Sequence, residues 1–154
     1  MQVCAWLLLC MVLGQFLSVV LRYVFATGSI QLQESVLYMH ALLFLLFAGG
    51  TLLADAHVRV DVFYRTWSPA RQALVNLVGA LLCALPFCAF IFITSWDYVR
   101  LAWVIREGSR ETSGLPFIWL LKPSILLFAL LLGAQSFALA VRAWDIWRTH
   151  GAKP

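Results

Sequence analysis

The chain has 154 residues, 63% of them apolar and only 12% charged, with a mean hydropathy of +0.90. A soluble domain is about 45–50% apolar, so this composition excludes one, and the sequence reads as a single membrane domain over 1–154. The net charge of +4 and pI near 9.1 do not point to nucleic acid, because membrane proteins concentrate Lys and Arg in their cytoplasmic loops.

Four uncharged stretches set the predicted elements: 1–21, 35–54, 72–96 and 123–141, which are 21, 20, 25 and 19 residues long. A helix needs about 20 apolar residues to cross a hydrocarbon core of about 30 Å. Backbone polar groups in lipid must be paired within the segment, and the alternating polarity of a β-barrel strand is missing here. The predicted fold class is therefore all-α integral membrane protein: four transmembrane helices at roughly 2–22, 35–55, 69–104 and 117–144, with short amphipathic interfacial segments.

The first stretch reads as a retained helix rather than a cleaved signal. No Lys or Arg precedes Arg22, the apolar run is long, and Tyr23-Val24-Phe25 is a poor cleavage context. Arg22 and Tyr23 suit the membrane interface. A turn over 26–29 leads to Glu34 at the mouth of the second helix, where a carboxylate favours the positive end of the helix dipole or pairs with Arg22 across the short loop. His40 is the one titratable side chain inside a span and reads as a packed or interface group rather than a ligand.

Gly50/Ala54, Ala80/Ala84, Ala129/Gly133 and Ser136/Ala140 are small-xxx-small pairs that let helices approach closely in lipid. In the second loop, Asp55/Arg59 and His57/Asp61 stand four apart, as paired charges on a helix would. Val60, Phe63, Tyr64 and Trp67 form an apolar face opposite Arg59, Asp61 and Arg65, predicting an interfacial arm over 58–67. Ser68-Pro69 then gives an N-cap and a Pro at the first helical position.

Pro86 predicts a bend in the long third helix. Trp96, Tyr98 and Trp103 beside Asp97 and Arg100 mark its emergence from lipid. A polar loop over 108–114 follows, 116–122 dips back towards the membrane, and Pro123 opens the fourth helix. Gln135, near the middle of that helix, predicts a buried interhelical hydrogen bond. Cys4, Cys10, Cys83 and Cys88 lie within spans without C-x-x-C spacing and read as small packing residues.

The chemistry of an autonomous transporter or enzyme is absent. No Asp, Glu, Lys or Arg stands at the middle of a span, and there is no Gly-rich phosphate loop, H-E-x-x-H or intramembrane carboxylate pair. No residue is predicted to be catalytic, to bind a cofactor or to ligate a metal. A small multidrug exporter would need a membrane-embedded carboxylate, for which Glu34 is the single candidate. A quinone-linked thiol oxidase or haem anchor would need surface cysteine pairs or axial histidines. The sequence fits a helper subunit that needs a partner better than either. With four spans, Arg59, Arg65, Arg71, Arg142, Arg148 and Lys153 share the side of both termini, against Arg22, Arg100, Arg106, Arg110 and Lys122. The six-to-five split predicts both termini in the cytoplasm of a bacterial inner membrane.

Three segments together carry a resemblance. They are Arg22-Tyr23-Val24-Phe25, the run from Ala54 through His57, Arg59 and Asp61, and Ser95-Trp96 followed by Glu107-Gly108-Ser109-Arg110-Glu111-Thr112-Ser113-Gly114-Leu115-Pro116. This resembles the small, DctQ-like membrane subunit of tripartite ATP-independent periplasmic (TRAP) transporters over about 12–144. The stretch from Gly114 through Trp119 to Lys122 looks like the mannitol/chloroaromatic branch, with relatives that handle 2-oxo acids. Family members often carry a Trp and paired acids at the start of the second helix, where this chain has Gln31-Leu32-Gln33-Glu34. The resemblance implies a large TRAP permease subunit and a periplasmic substrate-binding protein as partners, sodium-driven import of an organic acid, and a fixed scaffold role in contact with membrane lipids. It marks Arg22, Tyr23, Glu34, His57, Arg59, Asp61, Trp96, Gly114, Pro116 and Lys122 as motif and interface candidates.

Overall fold

The computed structural model describes residues 2–53 and 66–151. The described residues are helical or irregular, with no strand, and four helices are long and apolar enough to cross a membrane. The chain is an all-α, multi-pass membrane protein. The His57, Arg59 and Asp61 candidates, and all but the last two residues of the predicted 58–67 arm, lie outside the described residues.

Helix α1 spans Gln2–Tyr23, with Arg22 in its last turn. Ala26 takes a left-handed conformation (φ 51°), and the Thr27 N–H returns to the Leu21 carbonyl at 3.0 Å, ending the helix. Helix α2 runs Ile30–Leu53. It begins five residues earlier than the predicted 35, because Ser29 caps it: its hydroxyl oxygen accepts the Leu32 N–H at 3.3 Å.

Helix α3 spans Pro69–Val104. At 1.5 Å per residue it is about 54 Å long, well beyond the hydrocarbon core. Ser68 stands at its N-cap in extended conformation, but its side chain makes no cap bond, and Pro69 takes the first helical position. Just before Pro86 the helix passes through a π-helical turn, Gly79–Ala84, in which the Leu85 N–H reaches back to the Ala80 carbonyl. This is one residue beyond the α register, and it falls where the proline ring cannot donate a hydrogen bond.

A single turn, α4 (Ile118–Leu121), leads through Lys122 into α5 (Pro123–Gly151). Helix α5 therefore continues past the predicted end at 144. The Ser124 hydroxyl donates to the Leu121 carbonyl at 2.6 Å, at the joint where Pro123 lacks an N–H.

The chain divides into two compact units. The first comprises Met1–Phe47 and Ser95–Leu127. Among its described side chains, Ser18, Val99, Ala102, Lys122 and Ser124 are buried. Helices α1 and α2 meet where Gly14 leaves room, since a Cβ there would lie 3.1 Å from Val36 Cγ2.

The second unit comprises Ala48–Thr94 and Phe128–Pro154. Its buried residues are small: Ala73, Ala80 and Cys88 on α3, and Ala129, Ser136, Ala140 and Ala143 on α5. A Cβ on Gly133 would lie 3.5 Å from the Cβ of Cys88, so the two helices come close there, as small-residue packing in lipid requires. Ala73 and Ala80 are seven apart, whereas Ala80 and Cys88 are eight apart. The extra residue is accommodated by the wider π turn, which keeps all three on the buried side.

One polar reading is corrected in this unit. Gln135 is half-buried and makes no hydrogen bond among the described residues; the buried polar position is its neighbour Ser136, which donates to its own helix at Leu132 O, 2.8 Å away. Cys88 is buried as a packing residue, but Cys83 is exposed, as is Cys10 on α1.

Candidate functional site

The α3–α4 connection is the most densely bonded polar region among the described residues. It begins with a Schellman-type closure: the Glu107 N–H bonds Ala102 O at 3.0 Å and the Arg106 N–H approaches Trp103 O at 3.4 Å. The left-handed position in this closure, usually glycine, is held by Arg106 at φ 50°. Its guanidinium lies 4.4 Å from the centre of the Trp119 ring, and Trp103 meets Trp119 edge-on at 4.8 Å. The Trp119 backbone N–H donates to Glu107 O at 3.1 Å and its indole N–H to Pro116 O, also at 3.1 Å.

Between these anchors the chain folds into a small loop. Ser109 N–H donates to Leu115 O at 3.1 Å, Gly114 N–H to Glu111 O at 3.0 Å, and Glu111 N–H to the Ser109 hydroxyl oxygen at 3.1 Å. This leaves the Ser109 hydroxyl proton and the Leu115 N–H pointing at one spot, which Glu34 from α2 fills. One carboxylate oxygen accepts from the Ser109 hydroxyl and the other from Leu115 N–H at 2.5 Å. Two donors converging on a carboxylate form charge-assisted bonds, stronger than neutral ones. Gly114 makes the fit possible. A Cβ there would collide with the Ser109 side chain and lie 2.7 Å from Glu34 Oε1.

Behind the loop, the Lys122 ammonium pairs with the Glu107 carboxylate and sits 3.7 Å from the centre of the Tyr98 ring. The Lys122 side chain is 8% exposed and that of Glu107 25%. A cation this buried needs a partner, and the carboxylate and the ring face together supply one.

Four predicted residues, Glu34, Gly114, Pro116 and Lys122, therefore meet in one region. Arg22 and Tyr23 do not join it. Both are exposed at the end of α1, and Glu34 bonds the loop instead of pairing with Arg22. Glu34 also lies in the second turn of α2, beyond the first turn where the helix dipole acts most strongly. Trp96 is half-exposed on α3. His40 is exposed on α2.

Glu107, Ser109, Tyr98, Trp119 and Arg106 stand in the quoted segments or beside them but were not among the candidates. The acid and base flanking the polar loop, Glu107 and Lys122, were the available sign of their pairing. Among the described residues no group of three or more His, Cys, Asp or Glu side chains comes together in metal-binding fashion. What the arrangement does chemically is fix the shape of a polar loop by tying it to α2.

Residues 11–149 match the family model described as tripartite ATP-independent periplasmic transporters, DctQ component. The C4-dicarboxylate TRAP transporter small permease protein DctQ of Vibrio cholerae serotype O1 is 30% identical over 106 residues, covering 69% of this chain and 45% of that protein. The chain thus aligns with less than half the length of this relative. No solved structure matches. The family model, matched along nearly the whole chain, places this protein in the DctQ family of TRAP transporter components, which are not enzymes.

Proposed function

We propose that the chain is the small permease subunit of a TRAP-type secondary transporter in a bacterial inner membrane, with both termini cytoplasmic. In this reading it forms part of the fixed scaffold of a large membrane subunit. That subunit imports an organic acid, driven by sodium, after a periplasmic binding protein delivers it. The C4-dicarboxylate in the name of the Vibrio cholerae relative supports a carboxylate substrate class. A transport domain that moves across the bilayer needs something stationary to move against, and a small bundle anchored at the interface supplies it.

The observation that supports this best is the Glu34 latch. It uses the loop's polar groups on one another and gives the α3–α4 connection a defined shape, which suits a docking surface on the periplasmic side. The exporter alternative needs a carboxylate free to exchange protons with a membrane cavity, whereas both oxygens of Glu34 are engaged.

The test is co-purification. The tagged chain is expressed with its chromosomal neighbours, extracted in mild detergent and analysed for what stays bound. Stoichiometric recovery of a large multi-span permease is the expected result, with sodium-dependent organic acid uptake by the reconstituted complex. Recovery of this chain alone would overturn the reading.

A further inference from the structure

Helices α1 and α2 carry polar side chains where lipid would be expected. Gln15 on α1 and Gln33 and His40 on α2 line one open groove of about 430 Å³ with Met11, Val36 and Leu37. All belong to the first compact unit. Gln15 stands eight residues before Tyr23, the end of its span, and His40 six residues after Glu34, at the mouth of the other. At 1.5 Å per residue Gln15 lies about 12 Å and His40 about 9 Å deep, inside a hydrocarbon core of about 30 Å. Both are exposed, and none of the three side chains makes a hydrogen bond among the described residues.

Lipid tails offer an amide or an imidazole no hydrogen bond, and at this depth a glutamine is too short to reach the headgroups. Polar groups at membrane depth face a neighbouring helix or a water-filled cavity, and pair there. A second copy of this chain is a poor neighbour. A two-fold interface must be self-complementary, and a groove laid on the same groove leaves a void.

We propose that the α1–α2 groove seats a transmembrane helix of the large permease subunit. That helix brings a hydrogen-bonding side chain (Ser, Thr, Asn, Gln or a protonated acid) to the level of Gln15 and His40. The flexible Met11 lining the groove adapts to its surface. This assignment rests on the small-subunit reading above and adds to it the face that makes the contact.

The test uses the co-expressed complex. A photo-crosslinking benzoylphenylalanine replaces Leu37, which lines the groove and is 59% exposed, or Phe90, which is 65% exposed and outside it. Position 37 should crosslink to the large subunit at least tenfold more than position 90. In parallel, Gln15→Leu/His40→Leu should lower retention of the large subunit at least tenfold, while leaving the isolated chain as thermally stable as the wild type. Crosslinks from position 37 to lipid alone, or to a second copy of this chain, would overturn the proposal. So would full retention by the double variant. If wild-type chain retains no large subunit, the functional reading and this assignment fall together. If it does but position 37 crosslinks elsewhere, the assignment falls alone.

Discussion

Gly114→Ala adds one methyl group, and in most loops that change stabilises by about 0.4–1 kcal/mol when the backbone conformation permits it. Gly114 has no left-handed backbone, so an alanine meets no conformational penalty. It meets a steric one: the new Cβ would overlap the Ser109 side chain and stand 2.7 Å from Glu34 Oε1. The loop must open, which breaks the bonds from Ser109 and Leu115 to the carboxylate. Bonds to a charged group contribute about 1.5–3 kcal/mol each. Because Glu34, Ser109 and Leu115 are only half-buried, water replaces part of that, and the loss should be about 2–3 kcal/mol. At about 2–4 °C per kcal/mol for chains of this size, the unfolding temperature should fall by about 4–12 °C, followed by tryptophan fluorescence in detergent. Gly79→Ala is the internal control. Nothing lies within 4 Å of a Cβ there, so it should gain about 0.5–1 kcal/mol from helix entropy. The deciding comparison is a double-mutant cycle with Ser109→Gly, which removes the atoms the methyl hits. In that background Gly114→Ala should cost at least 1 kcal/mol less than in the wild type, beyond the ~0.5 kcal/mol scatter of independent sites. Equal costs in both backgrounds, or a Gly114→Ala chain as stable as wild type, would refute the latch.

Lys122→Met leaves Glu107 unpaired. Since that carboxylate keeps some contact with water, the cost should be about 2–3 kcal/mol, below the 3–5 of a fully buried pair, and Lys122→Met/Glu107→Gln should recover part of it in the same melting assay. Arg106→Ala loses the stack on Trp119 but keeps the left-handed backbone, costing about 0.5–1 kcal/mol. Arg106→Gly loses the same stack and relieves the backbone, so it should melt above Arg106→Ala by about 1 kcal/mol; the reverse order would count against the Schellman-type closure. The Tyr38 hydroxyl is buried without a partner among the described residues, and Tyr38→Phe should leave stability unchanged or raise it by about 1 kcal/mol.

The spans were legible because a membrane helix is written in uniform apolarity, which needs no knowledge of its neighbours. The start of α2 was not. Gln31-Leu32-Gln33 looks like loop by polarity, and Ser29, the cap that starts the helix at Ile30, is one serine in a Thr-Gly-Ser turn. The π turn was equally hidden. Its signature is an eight-residue step between Ala80 and Cys88 in a helix with many small residues, and it emerges only once the buried ones are known. Gln135 was read as the buried polar position, which is Ser136, one residue on, bonded within its own helix. Successive helical residues point about 100° apart, so a seam cannot be assigned to Gln135 or Ser136 before the opposing helix is placed. The latch joins residues 75 and 81 apart in sequence, Glu34 with Ser109 and with Leu115. No spacing rule reaches that far. Only the family motif pointed to both ends, and it did not say that they touch.

The polar side chains of this chain fall into two groups that different experiments will separate. Glu34, Ser109, Glu107 and Lys122 satisfy one another within the chain, so their removal should register in the melting of the isolated protein. Gln15 and His40 satisfy nothing within the described residues, so Gln15→Leu/His40→Leu removes no internal bond and should not lower that melting temperature. In detergent it should raise it or leave it unchanged, since two exposed polar groups at membrane depth become apolar. The same pair should matter only when the large subunit is present. A latch variant that melts early yet still retains the partner, set beside a groove variant that melts normally yet releases it, would show that folding and assembly use separate polar residues. If the groove variant melted several degrees early on its own, Gln15 and His40 would have internal partners, and their exposure could no longer be read as a vacancy for another helix.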